Sequence, residues 1–140
     1  MVENLYSSLA DLGYTHPLHP TLTHVPMGLI IGMVIFSVLG LFWKNKNFDH
    51  TAFHCSVLAL VSIPPVIAAG FLDWLHFQQG EWNVYIIVKM ILAGVLTVLL
   101  ILCFIMRRKG MTPGKMLLIY FLCLVCAGGL GYAGGTLVYG

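Results

Sequence analysis

Four long apolar segments divide this chain, and they constrain its fold more than any other feature. They run over about 22–43, 51–75, 82–106 and 116–139. A helix rises about 1.5 Å per residue, so about 20 residues cross a bilayer core roughly 30 Å thick. Each segment reaches that length. Charged residues make up only 9% of the 140, and the mean hydropathy is +0.93. Soluble domains carry roughly 25% charged residues, so a water-facing surface cannot be covered here. The expected fold is all-α: an integral-membrane four-helix bundle, one domain over residues 1–140. Its links are short, which makes successive helices antiparallel and the topology up-down.

Basic residues set the expected orientation. Lys44 and Lys46 lie in the first link, and Arg107, Arg108, Lys109 and Lys115 in the third. Only Lys89 belongs to the opposite side. The positive-inside rule then predicts a bacterial inner (cytoplasmic) membrane protein with both termini outside, at the periplasmic face. Residues 1–15 carry Glu3 and Asp11 but no Lys or Arg. No cleavable signal peptide is expected there, and the first span serves as signal and anchor. Trp74, Trp82, Tyr85, Tyr132 and Tyr139 suit an outer aromatic belt, and Trp43 an inner one.

Prolines mark the helix starts and a weak point. Thr23 as N-cap would put Pro26 in the first turn of its helix, whereas a start at Pro20 would leave Pro26 to kink it. Pro64-Pro65 is expected to break or bend the second span near mid-membrane.

The histidines carry the chemistry. His16, His19 and His24 fall within His16-Pro17-Leu18-His19-Pro20-Thr21-Leu22-Thr23-His24-Val25-Pro26-Met27-Gly28, at the outer end of the first span. His76 ends the second span on the same side, so four of the six histidines converge on one surface. Asp73, one turn before His76, is placed to orient an imidazole through its second nitrogen. Two ligand classes suit such a set. Haem b takes one or two axial imidazoles and an apolar slot. Zn or Cu takes three or four N, S or O ligands, here His16, His19, His24 and His76. Small residues thin three spans in the same half of the membrane: Gly28 and Gly32, Ala68-Ala69-Gly70, and Gly128, Gly131 and Gly135. They read either as a haem slot or as close helix packing, since Gly28 to Gly32 and Gly131 to Gly135 both have GxxxG spacing. His24 and His76 are the expected axial pair. His16 and His19 are substitutes, or ligands of a second outer haem. His50 and His54, at i and i+4, offer a further site at the inner end, with Met106, Met116, Cys55 or Cys103 as partner.

Other classes fall away. Cys123 and Cys126 are followed by Ala127 rather than His, which argues against covalent haem attachment; the four cysteines read as small packing residues. There is no phosphate loop, HExxH or Ser-His-Asp order. The positive charge is a topology signal, not a nucleic-acid patch. Only Ser62 and Thr97 stand near mid-membrane, so a conducting path is poorly supported. The expectation is an electron-transfer component rather than a stand-alone enzyme. It would hold one or two b-type haems, with a quinone near Trp74 and Phe77 and a periplasmic or membrane redox partner in reach. Homo-oligomers are compatible. The alternatives are a Zn- or Cu-binding membrane protein and a cofactor-free assembly subunit of a redox complex.

The run His16-Pro17-Leu18-His19-Pro20 through His24-x-Pro26-x-Gly28 resembles a family of small bacterial four-helix membrane proteins, a domain of unknown function. Gly70-Phe71-Leu72-Asp73 and Gly134-Gly135-Thr136-Leu137-Val138-Tyr139 agree with it, so the resemblance covers nearly the whole chain. The family's association with Rieske and cytochrome modules implies electron transfer by analogy. Relatives often place a histidine early in the third span. Here Lys89 stands in that region, which leaves a ligand set relying on that span without its imidazole.

Overall fold

The computed structural model describes residues 2–43 and 46–139. They form five helices and no strand: α1 (Val2–Asp11), α2 (Leu18–Trp43), α3 (Lys46–Phe77), α4 (Val84–Arg108) and α5 (Pro113–Tyr139). Helices α2 to α5 are each long and apolar enough to cross a membrane. They close into a ring, α2 against α3 and α5, and α4 against α3 and α5. The core lies on their shared axis. Ile30 and Met33 come from α2, Ala59 and Ile63 from α3, Leu96 and Leu100 from α4, and Tyr120 and Cys123 from α5. The outward face is equally apolar, with Ile35, Leu58, Val61, Val98, Phe121 and Val125 exposed. Such a surface would be costly in water but matches lipid tails, which are as apolar as the side chains themselves.

The two ends differ chemically. At one end Arg107 Nη2 pairs with Asp49 Oδ2 at 2.5 Å, and Arg108 lies 5.1 Å over the Phe104 ring. The other end, called the histidine end below, gathers α1, the start of α2, the end of α3 and the start of α4. The Asn83 side chain caps α4 there by accepting from Tyr85 N at 3.1 Å. Trp74 Nε1 donates to the Glu81 carbonyl at 2.9 Å, which ties the α3–α4 turn to α3.

Several local expectations need correction. Residues 2–11, outside the four expected spans, form α1. It docks on the end of α3 through Tyr6, its one buried residue. Helix α2 begins at Leu18, not near 22, so Thr23 is no N-cap; its hydroxyl donates back to the Pro20 carbonyl at 2.7 Å. Pro26 therefore lies inside α2, buried, in the alternative arrangement. Helix α3 begins at Lys46, which takes Asp49 and His50 out of the first link. It also runs unbroken through Pro64-Pro65. Packing of α3 on two neighbours holds the helix where propensity alone would end it. Lys44 lies outside the described residues, as do the side chains of Lys46 and Tyr139.

Candidate functional site

The site is organised by one carboxylate. A helix starts with backbone N–H groups that have no partner in the helix. In α2 the first are those of Leu18 and His19; Pro20 has none to satisfy. Asp73 of α3 takes both, Leu18 N to Oδ1 at 3.0 Å and His19 N to Oδ2 at 2.8 Å. A negative charge at a helix N-terminus is the favourable sign. The Tyr6 hydroxyl donates to the same Oδ1. One buried carboxylate thus joins α1, α2 and α3. Burial, then the carboxylate beside it, push the ionisation of the Tyr6 hydroxyl above the usual phenol range.

Asp73, expected to orient an imidazole through a ring nitrogen, instead holds the backbone N–H of His19 and bonds neither the His19 ring nor the His76 ring. His76 Nδ1 pairs with Glu3 Oε1 at 3.0 Å, and its ring stacks on Tyr6 with centroids 4.0 Å apart. The reason is α1, which puts Tyr6 between the two groups.

His19 is held as a presented ligand would be. Its Nδ1 lies 2.9 Å from the Val66 carbonyl, which only an N–H can serve. In the neutral ring the free lone pair is then on Nε2. The ring packs flat against Gly70: a methyl group at that position would stand 2.8 Å from Nδ1. Gly70 is therefore a fitting requirement of the imidazole. Lys89 enters from α4, half-buried, with no carboxylate of the described residues within salt-bridge distance. Gly134 of α5 adjoins it: a methyl group there would stand in ordinary contact, 3.8 Å from Nζ.

His19, Asp73 and Lys89 line one cavity of about 240 Å³. Its other walls include Trp74, Phe77, Ile86, Met90 and Leu130. Pockets for drug-sized ligands measure roughly 300–1,000 Å³, so this one suits a single ring with its substituents and not a macrocycle. Ile67, Phe71, Phe77 and Met90 at its edge are also exposed on the apolar face of the bundle. The cavity therefore opens sideways, toward the lipid.

The remaining candidates are dispersed. His16 is exposed, edge-on to Tyr14 at 6.2 Å. His24 is exposed on α2, with Nδ1 2.6 Å from the Pro20 carbonyl. Among the described residues no three His, Cys, Asp or Glu side chains gather around a possible metal ion. The glycines differ in what faces them. A methyl group on Gly32 would meet Cys55 Sγ at 3.7 Å, and one on Gly131 would meet Met27 Cε at 3.4 Å, both ordinary contact with a neighbouring side chain. Gly28 and Gly128 are exposed with open space before them, and Gly135 has nothing in contact range. His50 and His54 are both exposed, 6.5 Å apart by centroid, near the Arg107–Asp49 end. Of the cysteines named as partners there, Cys103 is buried 4.0 Å from Cys123.

A family model matches residues 15–140, nearly the whole chain. The protein belongs to the DUF2231 family of predicted membrane proteins. No curated protein and no solved structure matches it. The DUF2231 match takes in every cavity residue, from Pro17 to Leu130, and leaves α1 outside. Tyr6 and Glu3 therefore reach the site from beyond the matched region.

Two side chains stand out in the structure more than in the sequence. Lys89 was not among the expected site residues, although a lone basic residue on the poorly charged side was a visible signal. His19 was expected only as a substitute axial ligand or a ligand of a second outer haem. Tyr6 and Glu3 left no signal, because their role depends on where α1 folds back.

Proposed function

We propose that the protein is an electron-transfer component of the bacterial inner membrane that binds the headgroup of a membrane quinol at its periplasmic end. The cavity between α2, α3 and α4 carries this reading. A quinol headgroup is a flat ring with two opposed oxygens. It needs apolar walls and a few polar groups that converge on those oxygens. Trp74 and Phe77 supply aromatic walls, and His19 and Lys89 approach from two different helices. The Val66 bond fixes the His19 tautomer, so Nε2 is the atom that accepts a proton from a quinol hydroxyl. The Lys89 ammonium opposes the negative charge left on the ring oxygen. Arg107, Arg108, Lys109 and Lys115 at the far end of the spans support periplasmic placement.

A b-type haem is the second reading, and His24 favours it. Its Nδ1 rests on a backbone carbonyl and its Nε2 is free, the usual way a ligating imidazole is anchored. Because His24 is exposed and the cavity is too small for a porphyrin, such a haem lies on the surface of α2, against a second copy or a redox partner. Direct Zn or Cu ligation by His16, His19, His24 and His76 has no such support.

The test uses detergent-purified protein: oxidised and reduced spectra, metal analysis, and titration of tryptophan fluorescence with a benzoquinone ring lacking a tail. Saturable quenching, lost in Lys89→Met and His19→Leu but kept in His54→Ala, is the expected result. Quenching that never saturates, or is the same in Lys89→Met, overturns the reading. A Soret band lost in His24→Ala supports the haem. A colourless, metal-free protein that binds no quinone leaves the cofactor-free assembly role.

A further inference from the structure

We infer that the ligand of this cavity carries a long apolar tail, and that a groove along α3 and α4 seats that tail. The inference rests on the headgroup reading above and extends it from a ring to a whole amphiphile, an isoprenoid quinone.

The groove encloses about 550 Å³ and shares Ile67 and Phe71 with the headgroup cavity. The two spaces therefore adjoin the same stretch of α3, at these two side chains. From there the groove passes Ala68, Pro64 and Leu60, with Thr97 of α4 on its other side. Ala68 and Pro64 have short side chains, which gives the groove its depth. Its one side-chain polar atom, Thr97 Oγ1, is already bonded to the Ala93 carbonyl at 2.7 Å, so the walls ask nothing polar of an occupant.

Direction and length also fit. Phe71 lies near the histidine end, and Leu60 lies eleven residues earlier on α3, roughly 16 Å deeper at 1.5 Å per residue. The site is polar where the span begins and apolar down to mid-membrane. That is the shape of a neutral headgroup with a chain hanging into the bilayer. Charge selects among amphiphiles. Lys89 and Asp73 line the cavity with opposite formal charges, so the pair carries no net charge to draw a phosphate. A neutral quinone ring needs none, whereas a phospholipid phosphate does.

The test compares a decyl-tailed benzoquinone with the same ring lacking the tail, on the full chain in detergent, with affinities corrected for micelle partitioning. Ala68→Trp fills the groove from α3, and Thr97→Phe fills it from α4. In the unmodified protein the tailed ligand should bind at least about tenfold tighter than the bare ring. Either substitution should remove that advantage while the bare ring binds as before, which also shows that the variant is folded. Equal affinities in the unmodified protein, or an advantage that survives both substitutions, overturns the groove. So does displacement of the tailed quinone by phosphatidylglycerol, which would assign the groove to a lipid chain. Failure of the bare ring to bind the unmodified protein is a different result: it overturns the headgroup reading, while tail-dependent binding lost in Ala68→Trp still upholds the groove.

Discussion

Removal of the Asp73 carboxylate tests the architecture of the site most directly. In Asp73→Ala, Leu18 and His19 lose the acceptor that caps α2, and Tyr6 loses its partner. Loss of a helix cap costs about 0.5–2 kcal/mol. Loss of a partly buried charge at a helix start costs up to about 2 kcal/mol. A buried hydroxyl left without a partner costs about 1–3 kcal/mol. These terms share one side chain and do not add, so the expected total is about 3 kcal/mol. Tyr6→Phe alone should cost about 1 kcal/mol, because Asp73 keeps two backbone donors. In the Asp73→Ala background the same Tyr6→Phe change should cost almost nothing. The assay is unfolding in mixed micelles with rising dodecyl sulfate, followed by circular dichroism and tryptophan fluorescence, with amide exchange at Leu18, His19 and Thr21 as a local readout. An Asp73→Ala cost below about 0.5 kcal/mol would refute the cap. An equal cost of Tyr6→Phe in both backgrounds would refute the shared carboxylate.

Other perturbations have smaller or more local signatures. Gly70→Ala should push the His19 ring off the Val66 carbonyl, cost about 1–3 kcal/mol by overpacking and weaken binding of the bare quinone ring; unchanged binding and stability would count against the fitted imidazole. Arg107→Ala leaves Asp49 largely buried without its partner and should cost about 2 kcal/mol, somewhat less than for a fully buried pair, in the same unfolding assay. Glu3→Gln should cost no more than about 0.5 kcal/mol, because Glu3 is 76% exposed. The Tyr6 hydroxyl has its ionisation raised in the fold, so its bond to Asp73 is fully present below about pH 10 and weakens only as pH climbs through the raised value. An alkaline absorbance titration of the protein against Tyr6→Phe should show that the phenol lost by mutation is a late-titrating one.

The spans were legible in the sequence because lipid-facing and core-facing positions are both apolar, and length alone then identifies a helix. Their ends were less so. Leu18 starts α2 because Asp73, far along the chain, accepts its N–H, and no local signal encodes that acceptor. Pro64-Pro65 read as a break or bend because propensity is local, while the contacts that keep α3 helical through it are not. The convergence of histidines was legible only as a shared membrane side. Helix rotation decides the rest, and it turns His19 inward beside Gly70 while His24 points out. Thinning by glycine was equally visible, but what faces each glycine, Met27 opposite Gly131 and Cys55 opposite Gly32, was not.

The cap on α2 has a consequence for the order of events during synthesis. The acceptor for Leu18 N is 55 residues downstream. At about 5–20 residues per second, the Leu18 end of α2 is made roughly 3–11 s before Asp73 exists. In that interval its first turn has no partner from the rest of the chain, and His19 has neither Val66 nor Gly70 to lie against. The first two spans therefore reach their final register as a hairpin, not one after the other, and the wall of the ligand cavity is complete only when the second has arrived.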